Sequence, residues 1–386
     1  MVRFAEQEER TPATLPQWLQ WQARQRGKEL GLRHKRLGIW QAHSWSQLEG
    51  EVRQLAHVLW EHGFNPRSQL VILSRPRPEA LLAALAAHWL GGVAVLLNPL
   101  DEPSTQQGLL HALPLEFSFA EGLEELERLR RSKSPFRLRL YAEARGVQAQ
   151  AHELDYSALL RNGPFVQLEP QATPEHPAFI FYRQSTQGQI QQQPLSHRAL
   201  LQQGQQLVTA EQLSPQEEAL AARTLAAAGQ AGYLLAPWLM AGFRLNVPER
   251  LATRDQDRRE LGPTLVAGTR ETYGRLYEQT QARLPPLGSL SRRFVDWALA
   301  RPRSYLSQYL GEWLVRRPLR DVLGFSRTRV PLVLGDTLPS HIEAFFGDLG
   351  VFVRAWPDSS DWHSHSPPIQ SSEVASDWMV TTQQPI

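Results

Sequence analysis

The stretch that decides the fold is QLVILSRPRPEALLAALAAHWLGGVAVLL, residues 69–97. It begins with an apolar run of strand length at 69–74 and continues with a nearly unbroken apolar segment at 80–90. Two glycines then end the helix that this segment predicts, and residues 93–97 follow as a second buried strand. Strand, helix and strand with short connections are typical of a parallel sheet covered by helices, so we expect an α/β protein.

Similar segments recur on both sides of this stretch. Helices are predicted at 45–63, at 123–133, from His197 after the capping residue Ser196, at 340–349, and over 294–320 with a break near Pro302. Further strands are predicted at 136–141, 178–182, 262–267, 330–334 and 351–354, and a polar loop rich in Gln is expected after Tyr182. The expected fold class is α/β, with mixed and parallel sheets flanked by helices.

Three parts of the chain are predicted from this organisation. Residues 164–177 are polar and rich in proline and indicate a linker. We therefore expect a first α/β subdomain over 1–175 and a second over 176–356. Residues 357–386 are polar and rich in Pro and Ser, and we expect them to form a flexible tail.

Composition excludes several classes of function. The absence of Cys excludes disulfides, thiolate metal sites and a Cys nucleophile. The formal net charge is only +2, with acidic residues interspersed, so nucleic acid is not an expected partner. The first 22 residues lack the apolar core of a signal peptide, and we expect a cytoplasmic protein. Residues 80–97 contain His88 and two glycines, so membrane association is expected to be peripheral at most.

Several short motifs follow one another in an informative order. They are LRHKRLGIW at 32–40 with SW at 44–45, RPE at 77–79, GGVAV at 91–95, LSHRAL at 195–200, GPT at 262–264, and RRPLR at 316–320 with LGFSR at 323–327. In this order they resemble the adenylate-forming superfamily, specifically the bacterial long-chain acyl-CoA synthetases. The resemblance implies the fold of the large N-terminal part of such an enzyme.

The resemblance also locates a phosphate loop. Active members carry Thr-Ser-Gly-Thr-Thr-Gly-x-Pro-Lys-Gly directly after a strand that ends in Tyr, and glycine lets backbone N–H groups approach the phosphates of ATP. After Tyr182 the same register reads RQSTQGQIQQ, residues 183–192. The resemblance therefore implies Ser185, Thr186 and Gly188 as cofactor-binding residues.

Three positions of this loop depart from the family. Ser185 and Gln192 replace glycines, and Gln191 replaces the catalytic Lys, although Arg183 could return some positive charge. Side chains then stand where bare backbone is required, and a cation is lost. Removal of one preorganised electrostatic contact costs about 100-fold to 1,000-fold in rate, so several changes predict a severe loss. The alternative interpretation is a plain surface loop between a strand and a helix.

A second family motif, Tyr-Gly-x-Thr-Glu, corresponds to PDSSD at 357–361. The resemblance implies phosphate contact for Ser360 and a weak Mg²⁺ and catalytic role for Asp361, while proline at 357 cannot replace the aromatic residue. It also implies a cofactor contact at Gly335 and a substrate contact at Trp238. The alternatives are a polar loop that leads into the tail and, for Trp238, a core residue.

Two other groups of residues suggest binding sites. Asp361, His363 and His365 form a compact set of metal ligands, for which a solvated tail is the alternative. The Arg-rich residues 292–329 include Trp297 and Trp313 and could suit an acidic membrane surface. The alternative is an amphipathic helix pair that covers the sheet.

Three functional hypotheses follow. The family continues into a ribose-binding Asp, a hinge and a small C-terminal domain, whereas this chain ends at Ile386, so we expect a truncated, inactive relative with a binding or regulatory role. Its partner would be another protein, such as an active synthetase, or a fatty acyl group. The second hypothesis is a weak or split acyl-adenylate-forming ligase that uses ATP, AMP and Mg²⁺. The third is a basic scaffold at a membrane surface.

Overall fold

The computed structural model describes residues 11–132, 134–162, 168–185, 187–223, 226–299, 309–358 and 362–364. The strands, numbered in chain order, are β1 (Leu30–Arg36), β2 (Ile39–Ser44), β3 (Gln69–Leu73), β4 (Val93–Leu97), β5 (Phe117–Ala120), β6 (Leu138–Tyr141), β7 (Glu153–Asp155), β8 (Pro177–Gln184), β9 (Ile190–Ser196), β10 (Glu218–Leu220), β11 (Arg244–Val247), β12 (Leu265–Gly268), β13 (Val330–Leu334), β14 (Arg354–Trp356) and β15 (His363–Ser364). They form an eight-stranded sheet in the order β15-β9-β8-β4-β3-β5-β6-β7 and a seven-stranded sheet in the order β14-β13-β12-β10-β11-β1-β2.

Helices flank both sheets. They are α1 (Leu15–Arg26), α2 (Trp45–Glu61), α3 (Pro78–Trp89), α4 (Pro103–Ala112), α5 (Leu123–Arg131), α6 (Tyr156–Asn162), α7 (His197–Ala210), α8 (Ala228–Gln230), α9 (Ala236–Ala241), α10 (Arg254–Leu261), α11 (Arg270–Gln281), α12 (Leu290–Leu299), α13 (Arg317–Leu323) and α14 (Ser340–Asp348), with π-helical turns at Ala231–Leu235 and Glu312–Arg316. Both sheets contain parallel and antiparallel pairs, so the predicted fold class is confirmed.

The strand-helix-strand unit at residues 69–97 forms the centre of the eight-stranded sheet. β3 and β4 pair in parallel from Gln69 opposite Val93 to Leu73 opposite Leu97. The helix between them, α3, is buried along its whole length except at Glu79. The glycines after Leu90 follow the helix end, as the sequence predicts, whereas the helix begins at Pro78, two residues before the predicted start.

One apolar core joins the two sheets. It contains residues of β3 and β4 from the eight-stranded sheet and residues of β11 and β13 from the seven-stranded sheet. Helices α2 and α3 pack on each other within this core, and α7 packs on α9. Ser44 caps α2 by accepting a bond from the Gln47 N–H, while the Gln47 side chain bonds back to the Ser44 N–H.

Sheet membership does not follow the order of the chain. β8 and β9, which come after the predicted boundary at 175/176, join the same sheet as β3. β1 and β2, which come before it, join the other sheet. The division into subdomains 1–175 and 176–356 with a tail from 357 stays a prediction.

Two predicted elements are corrected by strand pairing. The loop expected after Tyr182 is wrong, because β8 continues to Gln184 and pairs with the Gln-rich β9 in an antiparallel hairpin. The strand expected at 351–354 forms instead at β14, since the Val351 N–H bonds to the Phe346 carbonyl and closes the preceding helix. The predicted helix break near Pro302 lies outside the described residues.

The apolar residues 80–97 divide between α3 and β4. No helix within the ranges that the structure describes is long and apolar enough to cross a bilayer.

Candidate functional site

The candidate phosphate loop is the tip of the β8–β9 hairpin. β8 runs parallel to β4, so the hairpin begins at the carboxyl edge of the eight-stranded sheet. Arg183 lies opposite Gln191 and Gln184 lies opposite Ile190, which leaves residues 185–189 to make the turn. Within this turn Thr186 lies outside the described residues, whereas Ser185 and Gly188 are described.

Hydrogen bonds inside the tip occupy its backbone donors. The Ser185 N–H donates to the Gln189 carbonyl at 2.8 Å, and the Gly188 N–H donates to the Ser185 carbonyl at 2.9 Å. The Gln189 N–H donates to the Ser185 Oγ at 3.1 Å. Three N–H groups at the position where the family binds phosphate are therefore already satisfied by the loop itself.

The residue in the lysine position, Gln191, makes a local contact. Its Oε1 accepts a hydrogen bond from the Arg183 Nε at 2.8 Å. The Arg183 guanidinium also lies over the ring of Trp362, 4.2 Å from its centroid. This guanidinium is thus held along the hairpin by an amide on one strand and an indole on the neighbouring segment.

A short segment of chain connects the edges of the two sheets beside this hairpin. β14 lies at the edge of the seven-stranded sheet, and β15 pairs with β9 at the edge of the other. Where the chain leaves β14, the Tyr233 hydroxyl donates to the Pro357 carbonyl at 3.1 Å, and its ring lies 5.4 Å from that of Trp356. Ser360 and Asp361, the predicted phosphate and Mg²⁺ residues, lie outside the described residues.

Gly335 follows β13 and lies next to this connection. Its φ of +85° belongs to the left-handed region, and its N–H donates to the Trp356 carbonyl at 3.0 Å. A Cβ at this position would meet no heavy atom within 4 Å, so the backbone here faces open space. The position permits close approach of a ligand, and the predicted cofactor role of Gly335 stays a prediction.

Trp238, the predicted substrate contact, lies in the core of the protein. Its side chain has no exposed surface and stacks on Trp45 with ring centroids 4.9 Å apart. Its Nε1–H donates to the Gly31 carbonyl at 2.8 Å. These contacts stabilise the junction between α2, α9 and β1, whereas the substrate role stays a prediction.

The predicted metal ligands are largely beyond the described part of the chain. Of the set Asp361, His363 and His365, only His363 is described, and it lies on β15. Within the described ranges no group of three or more His, Asp or Glu side chains is arranged to hold a metal ion.

Sequence reasoning missed a basic cleft at the carboxyl ends of the strands. One cavity of about 410 Å³ is lined by arginines that include Arg75, Arg223 and Arg254. A second, of about 690 Å³, shares Arg75 with it and adds the side chain of Lys35. The available signal was an Arg shortly after β3 and another after β10. Because these strands lie in different sheets, the sequence alone did not bring the two arginines together.

Comparison with known proteins agrees with this fold. The model of the family described as AMP-binding enzyme matches residues 19–352. An anthranilate CoA ligase in complex with anthranoyl-AMP has a TM-score of 0.65 and 16% identity, over 89% of this chain and 58% of that one. The A-PCP didomain of a carboxylic acid reductase from Segniliparus rugosus, in complex with AMP, has a TM-score of 0.69 and 15% identity, over 92% and 53%.

A fatty acyl-adenylate ligase from L. pneumophila, in complex with acyl adenylate and pyrophosphate, has a TM-score of 0.60 and 13% identity, over 89% of this chain and 53% of that one. The chain thus spans little more than half the length of these three proteins. No curated protein sequence matches it. The structural likenesses concern the fold, while the family model covers most of the sequence, and the chain therefore belongs to the AMP-binding enzyme family.

Proposed function

We propose that this chain does not form acyl adenylates and serves as a binding or regulatory module with the fold of an AMP-binding enzyme. The observation that carries the proposal is the closed tip of the β8–β9 hairpin. The Ser185, Gly188 and Gln189 N–H groups are bonded within the loop, and Gln191 stands where active relatives carry a Lys.

Phosphate binding by such a loop requires free donors. A backbone N–H that already donates to a carbonyl must break that bond before it can bind a phosphate oxygen. Replacement of Lys by a neutral amide also removes a charge-assisted contact, which is about twice as strong as a neutral one. The described loop residues therefore do not fit the triphosphate of ATP in this conformation, and we derive no catalytic step through it.

The proposal is tested by ATP-pyrophosphate exchange with a panel of fatty and aromatic acids. We expect no exchange above background from the native chain. The variant S185G/Q191K/Q192G restores the family residues, and we expect it to gain a thermal shift with ATP-Mg²⁺ that the native chain lacks. The variant Q187K adds the same charge at an exposed tip position where the family motif has Thr and not Lys, and it should gain no shift.

Two outcomes would overturn the proposal. One is exchange by the native chain that disappears in D361N, which would show an active site despite the altered loop. The other is exchange that appears when a separately expressed C-terminal domain of a relative is added, which would establish the split ligase instead.

A second candidate function is attachment to an anionic membrane surface. Among the described residues sixteen large hydrophobic side chains are exposed, and nine of these lie between residues 287 and 322. Four follow helical spacing at and before α12, namely Leu287, Leu290, Phe294 and Trp297. A concentration of exposed apolar and aromatic side chains on one segment is typical of an interaction surface.

The charge of this segment favours an acidic partner. Residues 283–323 contain eight Arg and three acidic residues. The Arg317 guanidinium lies 4.4 Å from the ring centroid of Trp313, which places a cation beside an exposed indole. Exposed Trp and Phe beside Arg suit the headgroup region of an anionic bilayer.

Co-sedimentation with lipid vesicles tests this second candidate. We expect binding to vesicles that contain phosphatidylglycerol, and a large loss of binding in W297A/W313A. The variant W60A removes an equally exposed Trp on α2 and should bind as the native chain does. Absence of binding to any anionic vesicle, or equal binding by W297A/W313A, would contradict the membrane role.

A further inference from the structure

A basic cavity lies where strands of both sheets end. Arg75 follows β3, Asn98 follows β4 and Arg223 follows β10, and all three residues line one space of about 410 Å³. β3 pairs in parallel with β4, and β10 pairs in parallel with β11 and with β12. The residues that follow β3, β4 and β10 line the cavity, so it lies at the carboxyl ends of these strands. In α/β proteins ligands bind in the crevice outside the carboxyl ends of the strands.

Four guanidinium groups line this cavity. They come from different parts of the fold and belong to Arg75, Arg223, Arg254 and Arg275. α10 begins at Arg254, and α11 begins at Arg270 with Thr272 in the cavity wall. The N-terminal turns of two helices therefore add partial positive charge to the same space.

Three of these arginines have fixed partners. Arg75 bonds to the carboxylate of Glu121. Arg275 bonds to the carboxylate of Asp255. Arg223 bonds to hydroxyl groups, to the Thr269 Oγ1 at 2.6 Å and the Thr272 Oγ1 at 3.1 Å, and approaches the Glu271 carboxylate at 3.2 Å.

Arg254 differs from the other three. It is half-buried and donates no hydrogen bond and forms no ion pair with any residue in the described part of the chain. Burial, and then the positive charge of Arg275, lowers the pKa of Arg254 below its usual range. Its charge is therefore partly desolvated and not neutralised by a direct contact.

The whole cluster carries surplus positive charge. Arg258 lies beneath the cavity, and burial lowers its pKa to about 10. With it, five guanidinium groups share the carboxylates of Glu121, Asp255 and Glu271. Arg258 does not line the cavity, and of the four arginines that do, only Arg254 has no carboxylate in direct contact, so the wall keeps a positive charge that an anion would neutralise.

We propose that this cavity binds a compact anion that carries a phosphate or pyrophosphate group, either free or as part of a larger ligand. Guanidinium forks bind phosphate oxygens in pairs, and Arg254 and Arg223 present such groups from different elements. Leu251 and Ala222 give the wall an apolar part that would contact the remainder of a larger ligand. A wholly apolar acyl chain would leave the Arg254 guanidinium without a partner, which is unfavourable.

The inference does not rest on the loss of adenylate formation. None of the residues that line the cavity belongs to the hairpin at 185–191. The phosphate group is therefore assigned to the cleft between the strand ends and not to the altered loop, and the S185G/Q191K/Q192G variant should retain this binding.

Isothermal titration of the full chain with pyrophosphate, orthophosphate, a phosphate monoester and succinate tests the proposal. We expect the phosphate compounds to bind more tightly than succinate, with an affinity that falls as salt rises. R254Q should weaken binding about tenfold or more, because it removes a charged donor that has no structural partner. R137Q removes an exposed arginine on another face, paired only with Glu116, and should leave binding unchanged.

R275Q provides a second variant, and its urea-unfolding curve separates lost binding from lost folding. Weaker binding in both R254Q and R275Q, with R137Q unchanged, would support the site. The proposal would be overturned by equal binding of succinate and pyrophosphate, by binding that R254Q does not alter, or by the absence of heat with every phosphate compound.

Discussion

Helix α3 and the tip of the β8–β9 hairpin both adjoin the eight-stranded sheet, but the helix is buried and the tip is exposed. α3 is buried on all sides except at Glu79, and most of its side chains are Ala or Leu. The hairpin tip is polar and exposed, and it is closed by its own hydrogen bonds. The packed helix belongs to the family fold, whereas the tip departs from the family motif at Ser185, Gln191 and Gln192.

The difference shows that fold and catalysis depend on separate interactions here. Burial of each large apolar side chain contributes about 1.5–3 kcal/mol to folding, and many such residues share the core. Substitutions in an exposed loop typically change stability by less than about 0.5 kcal/mol. Changes in an exposed loop therefore leave the fold of the family intact.

The largest effect should come from the core. W238A removes an indole that stacks on Trp45 and donates to the Gly31 carbonyl, and we expect it to destabilise the protein by about 3–5 kcal/mol in urea unfolding. W60A, at a position that is 55% exposed, should cost far less. Equal effects of the two variants would break the contrast between core and surface.

Low pH should also destabilise the protein, through two histidines that are buried in the core. Burial lowers the pKa of His88 to about 4, and burial lowers that of His197 well below its ordinary value of 6.5. Between pH 6.5 and 4 the unfolded chain then binds more protons than the native chain, so stability is complete above this window and falls as the pH drops. For His88 alone the loss by pH 4 is about 3 kcal/mol.

Thermal unfolding from pH 7 to 4 measures this effect. H88Q keeps a donor for the Ala178 carbonyl and should flatten the fall in stability. H111Q changes an exposed histidine and should leave the pH profile as it is. A profile that H88Q does not alter would contradict the assignment to the buried imidazole.

Substitutions in the hairpin should change the unfolding free energy less than substitutions in the core. G188A forces a side chain into a backbone with φ of +79° and should cost about 1 kcal/mol. Space is not the reason, because the added Cβ would lie 3.9 Å from the nearest atom, the Gln184 Nε2. Urea unfolding would decide, and a loss comparable to that of W238A would show that the tip supports the fold.

The smallest effect should come from Q191A. It removes the exposed hydrogen bond to Arg183, so we expect a change in unfolding free energy within about 0.5 kcal/mol. The same urea measurement applies, with the core variant as the reference. A cost above that of G188A would mean that the amide in the lysine position has a structural role.

Elements with continuous apolar runs were predictable from the sequence. β4 and β13 form at the predicted residues, and α2 begins at Trp45 as its apolar face indicates. The Gln-rich β9 was not predicted, because its backbone becomes a strand only through pairing with β8. The sequence also placed some predicted site residues correctly relative to one another, because Ser185, Gly188 and Gln191 lie at one hairpin. Trp238 lies apart from them in the core, which was the alternative that its apolar segment left open.

The sequence by itself determined the α/β class, the family and the altered loop chemistry, because apolar runs and motif residues are local properties of a chain. Only the tertiary structure decided that the loop closes on its own donors and that five arginines gather beside two helix ends. Arg75 and Arg275 are 200 positions apart, and no local pattern relates them. Their meeting depends on the arrangement of two sheets around one core, which the burial of many distant apolar side chains decides together.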